Sequence, residues 1–83
     1  MRIIAELPHP DFKITVFQWN NRYLIKIEQG HLEQTYKIEQ FELDESDIKK
    51  FLDQAFLTQV TERFTEMHKS LSDALQRVEN QMN

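Results

Sequence analysis

The chain has 83 residues, a formal net charge of −4, 40% hydrophobic and 11% aromatic residues, and no cysteine. That composition predicts one folded domain rather than a disordered chain, with a core of marginal size. It excludes disulfides, thiolate metal sites and a cysteine nucleophile. The opening MRIIAELPHP holds no apolar run of signal-peptide length and no segment is long enough to span a bilayer. The expectation is a cytoplasmic protein with no membrane partner.

Charge is unevenly spread. Up to residue 40, Arg2, Lys13, Arg22, Lys26 and Lys37 balance Glu6, Asp11, Glu28, Glu33 and Glu39. From residue 41 onward nine acids stand against five bases, so the whole deficit lies there. A global basic footprint for nucleic acid is absent.

Pro8, Pro10, Asn20-Asn21 and the single glycine, Gly30, divide residues 1–40 into four runs rich in β-branched and aromatic residues. They predict strands near 2–7, 11–19, 22–29 and 32–40. Asparagine tolerates positive φ, so Asn20-Asn21 suits a two-residue turn, and glycine does the same for Gln29-Gly30. Turns of two residues predict the pairs Trp19–Arg22, Phe17–Leu24, Val16–Ile25 and Ile14–Ile27, with Ile27 next to Leu32. Alternation then assigns Phe12, Ile14, Val16, Tyr23, Ile25, Ile27, Leu32, Tyr36 and Ile38 to a core face. The opposite face, called face two below, receives Lys13, Thr15, Phe17, Trp19, Arg22, Leu24, Lys26, Thr35 and Lys37.

At Phe41–Ile48 the period becomes helical. Asp44 is the expected N-cap, Glu45 and Asp47 place negative charge on the first turn, and Leu43 and Ile48 occupy staple positions. No glycine or proline interrupts residues 44–80. Ile48, Phe51, Leu52 and Ala55 form one stripe; Leu57, Val60, Phe64, Met67, Leu71, Ala74 and Val78 form another and end at Val78. A break near Phe56–Thr61, capped by Thr58 or Thr61, would reconcile the two stripes, and one long helix facing two surfaces is the alternative. The fold expected is α+β, a four-stranded antiparallel meander over 1–41 followed by one long or two consecutive C-terminal helices over 44–80.

Chemistry is sparse. The meander brings His9, Asp11 and His31 to one rim with Glu28 or Glu33 near, but no HxH or HExxH spacing accompanies them. His68 reads as a partly exposed helix residue. Ser46, Ser70 and Ser72 lack a nucleophile elbow, the acidic pair Glu62 and Glu66 is ordinary on a solvated helix, and one glycine cannot build a phosphate loop. The expectation is a non-enzyme without metal or other cofactor.

Phe17, Trp19 and Leu24, ringed by Lys13, Arg22, Lys26 and Lys37, carry the strongest functional signal. Aromatic and basic residues on a sheet suit a protein interface. They also suit stacking of single-stranded nucleic acid, and a helix folded over the face would bury them with no function at all. Phe64, Met67, Leu71 and Val78 form a second candidate interface on the helix. The reading is a non-catalytic interaction or structural module, a homodimer with room for a protein partner. Weak single-stranded nucleic-acid binding through the Phe17/Trp19/lysine face is the alternative.

The runs PHPDFKIT, WNNRY and EQGHLEQTYKI resemble a family of small bacterial proteins of similar length and uncharacterised function. The resemblance covers most of the chain, implies no activity and transfers no site residues. The element order is also similar to the whirly and coactivator-type single-stranded-DNA-binding folds. Those carry basic strands and loops, whereas this chain is acidic overall.

Overall fold

The computed structural model describes residues 1–82 and shows an α+β chain. Four strands, β1 (Arg2–Leu7), β2 (Lys13–Trp19), β3 (Arg22–Gln29) and β4 (Leu32–Glu39), form one antiparallel sheet in the order β1-β2-β3-β4. A 3-10 turn (Glu45–Asp47), a short helix α1 (Ile48–Phe51) and a long helix α2 (Gln54–Gln81) follow. The chain divides into two compact units, Met1–Asp53 and the segment from Gln54. Among the described residues no helix is long and apolar enough to cross a membrane.

The β2–β3 turn follows from its residues. Asn20 and Asn21 have φ of 52° and 62°, the left-handed pair that a hairpin turn of matching twist demands and asparagine tolerates. The strands then pair as the sequence predicts, from Lys13–Glu28 to Trp19–Arg22.

The β3–β4 hairpin corrects the expectation. Its turn is Gly30-His31, so Gln29 pairs with Leu32, and Ile27 lies opposite Gln34 rather than Leu32. Gly30 supplies positive φ, 60°, at the first turn position instead of the second. The slip is two residues. Because side chains alternate with period two, it leaves every face assignment in β4 unchanged.

Phe12, Ile14, Val16, Tyr23, Ile25 and Ile27 are all buried, with Val16, Ile25 and Ile27 fully excluded from solvent. Leu32, Tyr36 and Ile38 on β4 are half-buried. Gln34 joins them on that side, where it accepts a hydrogen bond from the Tyr36 hydroxyl.

β1 carries an irregularity between Ile3 and Ala5. Ile3 lies opposite Phe17, yet Ala5 lies opposite Val16 and Leu7 opposite Ile14. The extra residue reverses the alternation, so Ile3 belongs to face two while Ala5 and Leu7 belong to the core face.

After β4 the chain turns through Gln40–Glu42. Asp44 is extended (φ −77°, ψ 151°) and sits before the 3-10 turn, as an N-cap should, although its side chain makes no capping hydrogen bond. Instead its carbonyl accepts the Asp47 N–H at 2.9 Å. Ile48 and Leu52 are buried.

The helical break exists, but it falls earlier than Phe56–Thr61. Leu52 leaves helical geometry at ψ 53°, and α2 runs unbroken for 28 residues from Gln54, about 42 Å at 1.5 Å per residue. Thr58 and Thr61 cap nothing; both lie inside α2. The Thr61 hydroxyl donates to the Leu57 carbonyl one turn back at 3.0 Å, and Thr58 Oγ1 accepts from Gln54 Nε2 at 3.2 Å. Ala55, assigned by spacing to the first stripe, is exposed on α2.

Candidate interaction surfaces

Strand register builds face two as cross-strand rows. One row runs Ile3–Phe17–Leu24–Lys37, the next Glu6–Thr15–Lys26–Thr35, with Lys13–Glu28–Glu33 at one end and Trp19–Arg22–Glu39 at the other. The seven residues singled out on this face, Lys13, Phe17, Trp19, Arg22, Leu24, Lys26 and Lys37, do share it.

Their exposure is graded. Phe17 and Leu24 are half-buried, Trp19 is 50% exposed, and Thr15 is buried. A shallow depression of about 220 Å³ opens on the face, lined by Met1, Phe17, Leu24, Lys26, Glu33 and Thr35. Ile3, 55% exposed, extends the apolar row onto β1. Sequence spacing alone misses Ile3, because the irregularity at Ile4 must be known before β1 can be assigned a face.

The electrostatics separate two readings of this face. Its four cations, Lys13, Arg22, Lys26 and Lys37, stand among four carboxylates, Glu6, Glu28, Glu33 and Glu39. Arg22 Nε donates to Glu39 Oε1 at 2.8 Å, and Lys26 Nζ lies 3.0 Å from Glu28 and 3.9 Å from Glu33. The hydrogen bond to Glu28, then the negative charges of Glu28 and Glu33, hold the Lys26 ammonium above its ordinary pKa. Face two is therefore neutral in sum, and two of its four cations, Arg22 and Lys26, are already paired with carboxylates of the same face. A phosphate backbone needs uncompensated ones.

α2 presents the second surface. Val60 and Phe64 are its buried residues, and Leu57 and Met67 are half-buried. Toward the C-terminus the same stripe emerges into solvent. Leu71 is 42% exposed, Leu75 62%, Val78 56% and Met82 81%. At 100° per residue Leu75 and Met82 fall on the face of Leu71 and Val78, so the stripe extends beyond Val78. Of the four helix positions proposed as an interface, Phe64 is buried, Met67 is half-buried, and Leu71 and Val78 are exposed.

The histidine rim is occupied by local structure. His9 stacks on Phe12 with ring centroids 4.6 Å apart, and its Nδ1 accepts the Asp11 N–H at 3.1 Å. Among the described residues no three histidine or carboxylate groups gather as a metal site would require. Ser46, Ser70 and Ser72 are all exposed.

Comparison with known protein families, with curated proteins and with solved structures finds no match to this chain.

Proposed function

We propose that this chain is a non-catalytic interaction module that works as a homodimer and offers face two of the sheet as a contact surface to a protein partner. What supports the reading is one combination on that face. The apolar row Ile3–Phe17–Leu24 and the half-exposed Trp19 lie among charges that compensate one another. Apolar and aromatic side chains set in a balanced polar rim are what a protein surface meets at an interface core. The nucleic-acid reading is weaker, since the face is neutral in sum and two of its four cations are already paired, which lessens the counterion release that a phosphate chain would give.

Sedimentation at several protein concentrations tests the assembly. The expected result is a dimer that dissociates on dilution; a monomer persisting through high micromolar concentration overturns it. Trp19 is the single tryptophan, so acrylamide quenching reports on face two alone. Quenching should weaken when a partner covers the face. A titration with single-stranded oligonucleotide at low salt should leave the Trp19 emission unchanged.

A further inference from the structure

The open edge of β4 offers a more specific contact than the face it borders. In an antiparallel ladder, hydrogen-bonded and non-hydrogen-bonded pairs alternate. The two-residue turn at Gly30-His31 makes Gln29–Leu32 a bonded pair, and the Gln40 N–H bond to the Asn21 carbonyl, 3.0 Å, fixes the same phase at the far end. Leu32, Gln34, Tyr36 and Ile38 thus bond inward to β3. Glu33, Thr35 and Lys37 direct their N–H and C=O groups outward, and among the described residues no strand is bonded to that edge.

The two edges of the sheet are not alike. β1 is interrupted at Ile4 and followed by Pro8 and Pro10, devices that discourage strand addition. β4 pairs with β3 in unbroken register over eight residues and contains no proline. Lys37 on an edge ordinarily repels a neighbouring strand. Here, however, Glu33 stands at its mirror position about Thr35.

We propose that two copies of this chain join through their β4 edges, antiparallel and centred on Thr35. Outward groups can meet only when odd-numbered positions face odd-numbered positions, so the register moves in steps of two. Centred on Thr35, Glu33 lies opposite the second copy's Lys37 twice over, Leu32 opposite Ile38, and Gln34 opposite Tyr36. Centred on Gln34, Glu33 faces Thr35 and the lysine is left against His31. Centred on Tyr36, Glu33 faces Glu39, a like-charge pair. Among registers that overlap most of β4 (Leu32–Glu39), only the Thr35-centred one matches charge with charge and apolar with apolar. A register centred on Ile38 would set Lys37 against Glu39 but overlap the strands over three residues alone. The product is an eight-stranded sheet in which face two continues across both copies. The inference rests on the homodimer reading and supplies its geometry.

Charge reversal tests it. Glu33→Lys leaves two positive positions facing two positive ones across the seam; Lys37→Glu does the same with negative charge. Each variant should keep the parent's circular dichroism, since both side chains are exposed, and should self-associate roughly tenfold or more weakly. Mixed in equal amounts, the two should restore dimer, because opposite charges then meet at both positions.

The register is read independently with thiols, in a chain that has no cysteine of its own. Directly opposed positions in a bonded pair have Cα atoms about 5.5 Å apart, within disulfide reach. Thr35→Cys should therefore crosslink to a dimer under mild oxidation. Glu33→Cys should not, because the register places its two copies about 13 Å apart along the strands. A parent that never dimerises overturns both this inference and the homodimer reading. A parent dimer that ignores both charge reversals, or that crosslinks as fast through Glu33→Cys as through Thr35→Cys, overturns the β4 seam and leaves the homodimer standing.

Discussion

Val16 and Ile25 lie directly opposite each other on β2 and β3, and neither exposes any surface to solvent. They mark the centre of the sheet's core face. Replacing Ile25 by Ala removes methylene groups from a fully buried site, and should cost about 2–5 kcal/mol in chemical denaturation. A loss below about 1 kcal/mol would mean that the two faces are reversed.

The β2–β3 turn makes a sharper local prediction. Asn20 and Asn21 both hold positive φ, where a β-branched residue is disfavoured by roughly 1–2 kcal/mol. Asn20→Val should lower stability by about that amount. Asn21→Gly should be neutral or slightly stabilising, and equal losses for the two variants would contradict the left-handed turn.

Exposure along α2 predicts a gradient of mutational cost. Phe64 is 1% exposed and Leu75 62%, although both lie on one apolar stripe. Phe64→Ala should cost about 3–5 kcal/mol. Leu75→Ala should change stability by no more than about 0.5 kcal/mol. Thermal or denaturant unfolding of the two variants under identical conditions checks the contrast.

Lys26 carries the pH prediction. Its folded pKa is raised by the hydrogen bond to Glu28 and by the charges of Glu28 and Glu33. A raised lysine favours the folded chain while the ammonium is protonated in both states, and that contribution disappears as pH climbs through the lysine range. The gain is therefore present at neutral pH and lost in strong alkali. The pair is solvent-exposed, so the effect on stability is small. Side-chain NMR should show Lys26 titrating at lower pH in a Glu28→Gln variant than in the parent.

The legible parts of this fold are those fixed by turn chemistry and period. Asn20-Asn21 can form one short turn only, so the β2–β3 register and both faces follow from it. Gly30 was ambiguous because glycine accepts positive φ at either turn position; the pairing moved by two residues, but parity protected the faces. β1 was opaque. Its alternation reverses at Ile4, and nothing in the run RIIAEL announces that. In α2, Thr58 and Thr61 resembled caps, yet threonine can also bond back to a carbonyl within a helix, as Thr61 does. Strict heptad counting selected Ala74 and stopped before Gln81. The wider apolar face of a real helix admits Leu75 and Met82 as well.

Parity has a consequence for how this chain can drift in length. At the Gly30-His31 hairpin, adding or removing two residues re-pairs β4 with β3 and keeps every side chain on its side of the sheet. Adding or removing one would carry Leu32, Tyr36 and Ile38 into water and drive Glu33 and Lys37 against the core. Viable descendants of this sequence should therefore differ at that hairpin by even numbers of residues, unless a bulge like the one at Ile4 absorbs the odd one.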